Sequence, residues 1–301
     1  MSSLFLINPG SGKQKDSRAV SALISQVYQN AGKSVSIKEI QFDTLTQTIK
    51  DAQQGGIRRI FAVGGDGTVN AIGSKMLGTS MHFGIIPMGS GNGYARNLGI
   101  SVRTSLAIRQ TLDAQTILAD TGMFADRPFL NVAGFGLDSE VAQRFERQSK
   151  RGFRPYMIST FQAVRALQPQ TIHILVDGKA HRFDDVFGVV VALGGQWGYD
   201  AKVGRNVSLT DGLFDILVVR AFPLIQAGVM ASRMFYGSLK GSRNIIFFQG
   251  KEVEIVREEE GSIQIDGEPS QTGHTLKASI IPQSLHLLVP NTLSRNKINQ
   301  L

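Results

Sequence analysis

The sequence predicts an open, parallel α/β domain followed by an antiparallel, β-rich sandwich domain. Three observations predict it. Three glycine-rich turns, each preceded by a short apolar run, fall early in the chain: Asn8-Pro9-Gly10-Ser11-Gly12, Gly64-Gly65-Asp66-Gly67-Thr68-Val69-Asn70 and Gly89-Ser90-Gly91-Asn92-Gly93. Strand-like and helix-like segments alternate up to about residue 121. Beyond Arg127 the segments read mostly as strands, several joined by short turns.

In order, Leu4-Phe5-Leu6-Ile7 reads as a buried strand, Asp16 to Asn30 as a helix, Val35 to Ile40 as a strand and Leu45 to Gln54 as a helix. Arg59 to Val63 is the third strand and Phe83 to Ile86 the fourth, with helices after Thr68, from Asn92 and near Thr104 to Leu112. Short apolar runs bounded by turn residues suit strands buried in a parallel sheet, and each glycine turn then leaves the carboxyl end of a strand and enters a helix. The pattern changes between Ala119 and Asp126, so residues 1–121 are read as the α/β domain and 122–290 as the β-rich one. Strands there are expected at Phe129–Val132, Thr171–Val176, Val186–Leu193, Leu213–Val219, Ile245–Phe248, Val253–Arg257, Ser262–Ile265, Thr275–Ile281 and Leu285–Val289. Asp177-Gly178 supports a tight hairpin. Helical stretches interrupt the strands at Ser139 to Leu167 and Pro223 to Leu239, and the polar tail, 291–301, is either frayed or docked back on the first domain.

Composition bounds the function. A chain of 301 residues, 42% hydrophobic and 19% charged, suits two globular domains. Its net charge of +8 favours an anionic partner such as a nucleotide, an anionic lipid headgroup or a nucleic acid. The absence of cysteine excludes disulfides and thiolate metal sites and suits a reducing compartment. The first residues lack the basic region of a signal peptide, and no apolar run reaches the roughly 18 residues of a membrane span, so any membrane contact is expected to be peripheral.

Glycine allows backbone amides to come close to an anion, so three such turns on one sheet edge form a phosphate cradle. Gly10-Ser11-Gly12-Lys13-Gln14 lacks Walker A spacing, and Asn70 stands where a dinucleotide fingerprint needs glycine. The P-loop NTPase reading is therefore rejected, and a Rossmann NAD site is a poor fit. Asp66 can hold a divalent cation or orient a water or lysine, or it can serve as an Asx-turn or helix cap. With Thr68 and Asn70 beside it, the ligand role is favoured.

Gly64 to Asn70 resembles the nucleotide turn of the diacylglycerol kinase and sphingosine kinase superfamily, especially its bacterial soluble lipid kinases. Asn8-Pro9-Gly10-Ser11-Gly12 and Pro87-Met88-Gly89-Ser90-Gly91-Asn92 are similar to the family's first and third loops, with Ser90 at the hydroxyl position that contacts ATP phosphate. Asn131 to Asp138 resembles its entry to the second domain, where Asp138 becomes a candidate substrate contact. Asp211-Gly212-Leu213-Phe214-Asp215 and Asp266-Gly267-Glu268-Pro269 resemble its two Asp-Gly signatures, so order and spacing match over nearly the whole chain.

The resemblance implies a cleft between the two domains in which the γ-phosphate of ATP passes to a lipid hydroxyl. It makes Asp66, Asp266 and Glu268 the candidate catalytic acids, with Asp266 or Glu268 as base and Glu268 at the family's acceptor position, whereas spacing alone favours an ordinary hairpin turn at Asp266-Gly267. Nucleotide contacts are implied for Asn8 to Gly12, Gly64 to Asn70 and Gly89 to Asn92, and for Gln41 or Thr44 after the second strand. A structural Mg2+ is implied at Ser208, Asp211 and Leu213, for which a plain turn is the competing reading. Hard oxygen donors suit that ion. Gly93 departs from the acid common in diacylglycerol-kinase-like members, leaving a sphingoid base, ceramide, diacylglycerol or phosphatidylglycerol as acceptor. The implied partner is a lipid at a membrane surface, not nucleic acid, with a homodimer left open and a cytoplasmic location with peripheral membrane association expected.

Arg144, Arg147, Lys150, Arg151 and Arg154, interleaved with Phe145 and Phe153 and followed by Tyr156, Met157 and Phe161, suit a membrane interface, with Trp197 as a further lipid contact. A domain-packing helix is the equal alternative. Two rival functions remain: an NAD kinase, which shares the Gly-Gly-Asp-Gly turn but not the late Asp-Gly-Glu-Pro, and a catalytically silent nucleotide- or lipid-binding regulator.

Overall fold

Apolar runs that the sequence marks as strands of a parallel sheet lie in the interior of the computed structural model. The structure describes residues 2–11, 16–146, 148, 153–198, 201–203, 208–236 and 239–291. They divide into two compact units, one from the described residues of Met1–Ala119 and Gln283–Leu301 and the other from those of Asp120–Pro282.

The first unit runs β1 (Ser3–Ile7), α1 (Asp16–Asn30), β2 (Val35–Glu39), α2 (Leu45–Gln54), β3 (Arg59–Gly64), α3 (Asp66–Gly73), β4 (His82–Pro87), α4 (Gly93–Asn97) and α5 (Thr104–Gln110). All four strands are parallel, in the order β2-β1-β3-β4. From β1 the chain crosses to one side, and from β3 to the other, so the loops after β1 and β3 leave the sheet where its winding reverses. Open α/β sheets bind ligands at that point. The core beneath is aromatic: Phe5 stacks on Phe61 at 4.5 Å between centroids and meets Tyr28 edge-on at 5.2 Å. Gly84 of β4 makes room for this, since a Cβ there would stand 2.3 Å from the Phe61 ring.

The second unit is antiparallel. It contains β5 (Gln115–Phe124), which starts in the first unit, then β6 (Arg127–Phe129), β7 (Val132–Gly136), α6 (Leu137–Glu146), α7 (Phe153–Ala166), β8 (Gln170–Val176) and β9 (Lys179–Ala192). There follow β10 (Gln196–Gly198), β11 (Ala201–Lys202), β12 (Phe214–Arg220), α8 (Ala227–Tyr236), β13 (Ile245–Gly250), β14 (Glu252–Arg257), β15 (Gly261–Ile265), β16 (Glu268–Thr272) and β17 (Thr275–Val289). The long β9 serves two sets of strands. Its first half pairs with β8, which continues through β14 to β17, and Val186–Ala192 pairs with β7 and β12. Burial follows that division: the first half is largely exposed or half-buried, whereas Val186 to Ala192 is buried throughout, as expected for a strand covered on both faces. Val164 of α7 and Ala227 and Met230 of α8 join Val190, Ala192, Leu217 and Val219 in one apolar cluster.

Several features differ from the sequence expectations. The strand expected at Phe129–Val132 divides between β6 and β7, and β16 was not expected. The helical stretch 139–167 contains two helices, α6 and α7. Asp120 and Thr121 interrupt the apolar pattern, yet both are buried within β5, and the Asp120 carboxylate accepts the Gly212 N–H at 2.7 Å. Residues 275–281 and 285–289 form one strand around Gln283, whose φ is 48°. Its early residues pair with β14, and His286 and Leu287 pair in parallel with His82 and Phe83 of β4.

Candidate active site

In the first unit the glycine turns are tied by side chains. Asn8 Nδ2 donates to Thr68 Oγ1 at 2.8 Å, Asn8 Oδ1 accepts the Gly10 N–H at 2.9 Å, and Ser11 Oγ lies 3.4 Å from both Thr68 Oγ1 and the Gly65 amide. Thr68 thus joins the loop after β1 to the start of α3. Gly65 and Gly89 meet backbone to backbone: a Cβ on Gly65 would be 3.2 Å from the Gly89 Cα, and one on Gly89 would be 2.6 Å from the Gly65 Cα. Only glycine allows that contact. The first turn of α3 has no side-chain cap, and its amides carry the positive end of the helix dipole. Asn92, left-handed at φ 51°, donates from Nδ2 to the Gly89 carbonyl at 2.7 Å, while its buried Oδ1 has no partner. Arg96 Nε bonds the Gly91 carbonyl at 3.1 Å, and Asp66 Oδ1 accepts the Tyr94 amide at 3.4 Å.

In the second unit, Asp266 starts the turn between β15 and β16 and is 9% exposed. Its Oδ1 accepts the Asn131 and Val132 amides at 2.8 and 3.0 Å, and its Oδ2 accepts the Leu130 amide at 2.8 Å. Three amides thereby occupy the carboxylate. Gln264 Nε2 donates to Asp138 Oδ2, and its Oε1 accepts the Gly267 amide at 2.7 Å. Asp138 is thus linked to the turn through Gln264. Glu268 follows, exposed, at the first position of β16 opposite Ile265.

The Asp211 loop places hard oxygens together. Asp211 Oδ1 accepts the Leu213 amide at 3.1 Å, an Asx turn, and buried Ser208 Oγ accepts the Thr210 amide at 3.2 Å. Partial burial pushes the Asp211 carboxyl up from its ordinary range, the Leu213 bond opposes this, and the Asp120 charge adds to the rise. Carboxylate, hydroxyl and backbone carbonyl oxygens drawn from one loop are hard donors of the kind a divalent cation takes.

Most candidate residues can be located. Gln41 and Thr44 are exposed just after β2, with Thr44 Oγ1 3.5 Å from the Gln41 carbonyl. Pro9 and Ser90 are exposed at their turns, Gly67 and Asn70 are partly buried in α3, and Val69 is buried, so it can meet a ligand only through its backbone. Gly12 lies outside the described residues, as do Arg147, Lys150 and Arg151 and the side chains of Phe153, Tyr156 and Trp197. Sequence reasoning missed Asp120 and Gln264. Each is a polar residue within an apolar run of strand, Ile117-Leu118-Ala119-Asp120 and Ile263-Gln264-Ile265, and that interruption was the available signal.

Residues 2–124 match the diacylglycerol kinase catalytic domain, and residues 131–289 match the YegS C-terminal NAD kinase beta sandwich-like domain. An uncharacterized protein of Synechocystis sp. is 26% identical over 237 residues, 77% of this chain and 54% of that one, so the chain spans about half the length of that relative. A diacylglycerol kinase of Bacillus subtilis is 26% identical over 269 residues, 87% of this chain and 88% of that one. The crystal structure of a diacylglycerol kinase from Bacillus anthracis has the same fold, with a TM-score of 0.76 at 19% identity over 97% of this chain and 98% of that one.

Proposed function

The chain belongs to the lipid kinase family that joins a diacylglycerol kinase catalytic domain to a YegS C-terminal NAD kinase beta sandwich-like domain, and we propose that it transfers the γ-phosphate of ATP to a lipid hydroxyl. The observation that carries the nucleotide half is the Gly65–Gly89 backbone contact beside the uncapped first turn of α3. Amides at a helix start whose N-cap is glycine suit the triphosphate of ATP. Asn8, Ser11 and Thr68 hold the two loops in register around it.

Phosphoryl transfer needs positioning and charge neutralisation more than covalent help. The hydroxyl oxygen of the lipid forms a bond to the γ-phosphorus, the bond between that phosphorus and the β–γ bridging oxygen breaks, and ADP leaves with that oxygen. Glu268 takes the hydroxyl proton. Asp266 is unsuited to that task because three amides engage its carboxylate, so it holds the turn that displays Glu268. Asp138 acts through Gln264 on the same turn.

Ser208, Asp211 and Leu213, with Asp120 behind them, would hold a magnesium ion. Bound there, that ion supplies positive charge that relieves the repulsion between Asp120 and Asp211. Magnesium is expected to raise the melting temperature of the parent chain and not that of Asp211→Asn. An equal rise in both would refute the assignment.

Labelled ATP offered with diacylglycerol, sphingosine, ceramide and phosphatidylglycerol in mixed micelles tests the reaction. At least one lipid should be phosphorylated, and Asp66→Asn should lower that rate about a hundredfold or more. Phosphorylation of NAD with no lipid product would overturn the reading in favour of an NAD kinase.

A further inference from the structure

The net charge of +8 is not spread along the chain. Residues 147–176 contain Arg147, Lys150, Arg151, Arg154 and Arg165 and no acid. Residues 216–251 contain Arg220, Arg233, Lys240, Arg243 and Lys251 and no acid. Those ten cations exceed the total, so the rest of the chain carries a net charge of −2. The same stretches hold Ile158, Phe161, Leu224, Ile225, Val229 and Tyr236, large apolar side chains whose exposure runs from 41% at Phe161 to 88% at Ile225.

The helices sort these groups by face. On α7, Arg154, Ile158, Phe161 and Arg165 are all exposed and recur every three or four residues, while Ser159, Ala163 and Val164 are buried. Ile225 precedes α8, and Val229 and Tyr236 continue its stripe at helical spacing, while Ala227 and Met230 are buried. Val164, Ala227 and Met230 share one apolar cluster, and α7 touches the turn Leu224–Gln226. The two exposed stripes are therefore neighbours on one surface of the β-rich unit.

Asp185 pairs with Arg220 at 2.8 Å, while the two stretches themselves carry cations and exposed apolar side chains and no acid. Such a surface is unfavourable in water and complementary to an anionic bilayer, where apolar side chains enter the acyl boundary and cations stay among headgroups. A second copy of this chain would set like charges against one another. We propose that α7 and the segment from Leu224 to Tyr236 form the surface by which this protein adsorbs to an anionic lipid membrane. The proposal rests on the lipid kinase reading, since an acceptor with acyl chains is drawn from a bilayer.

Co-sedimentation with phosphatidylcholine vesicles, with and without phosphatidylglycerol, tests it without requiring turnover. Ile225→Ser/Val229→Ser/Tyr236→Ser should bind the phosphatidylglycerol vesicles at least about tenfold more weakly. Arg154→Glu/Arg165→Glu should lose the preference for phosphatidylglycerol over phosphatidylcholine, and added salt should weaken the parent chain's binding. Both variants should phosphorylate a short-chain, monomerically dispersed lipid at the parent rate. Vesicle binding at the parent level by the triple variant would overturn the proposal, and so would conversion of a dimer to a monomer with binding unchanged, which would make this face an interface between copies. If the parent phosphorylates no lipid, the reaction assignment fails while the binding result still decides the surface.

Discussion

Two hairpins of the β-rich unit use the same dipeptide in the same backbone conformation. Asp177-Gly178, between β8 and β9, has φ values of 46° and 80°, and Asp266-Gly267, between β15 and β16, has 49° and 88°. Each Asp donates its N–H to a neighbouring carbonyl, Glu252 at 3.0 Å for Asp177 and Val132 at 2.8 Å for Asp266. Each side chain accepts amides in return. Asp177 Oδ1 takes those of Lys251 and Glu252, both at 2.9 Å, at the surface, whereas Asp266 takes three and is buried. After the turn, one hairpin presents Lys179 and the other Glu268. In both, the Asp-Gly pair is a joint that pins a hairpin to its neighbour. The proposed base, Glu268, is the residue that one of these joints displays.

Substitution of the displayed residues tests this comparison most strongly. Glu268→Gln should reduce turnover by about 10²–10⁴, the usual contribution of a general base, with an unchanged melting temperature, while Lys179→Gln should leave turnover intact. Retained activity in Glu268→Gln would break the distinction between joint and displayed acid. Stability separates the joints themselves. Asp266→Ala leaves three amides without their acceptor and should cost about 3 kcal/mol in denaturant unfolding, against about 1 kcal/mol for Asp177→Ala at the surface. Equal losses would mean that burial of the second joint adds nothing. The smallest effect sharpens the similarity: a Cβ on Gly178 or Gly267 meets nothing within 4 Å, so alanine at either should cost only the strain of its positive φ. That strain is about 1–2 kcal/mol and should be the same at both. A much larger loss at Gly267 would show that its turn is constrained by more than backbone conformation.

Much of the fold was legible because its signals are local. Apolar runs such as Leu4 to Ile7 and Val186 to Ala192 cannot stay in water, and Asp-Gly suits two successive positive φ values, so strands and hairpins could be read from adjacent residues. Strand β5 was less legible because Asp120 and Thr121 break its pattern, and only the partners that bury them explain their place. In the candidate site the glycine turns were legible from composition. The contact of Gly65 with Gly89 and the bond from Asn8 to Thr68 were not, since each joins loops far apart in sequence.

By itself the sequence determined the α/β-then-β order, because that rests on residue type and short-range spacing, and the motifs of its three glycine turns carried the resemblance to the lipid kinase family. Tertiary structure decided which late carboxylate is engaged and which is displayed. Asp266 meets the amides of Leu130 to Val132 across more than a hundred residues of chain, and no local pattern encodes such a bond. The same holds for the end of β17 beside β4 and for the two basic, apolar stripes on α7 and α8. Local spacing sets which face a side chain takes, but only long-range packing decides whether that face is covered.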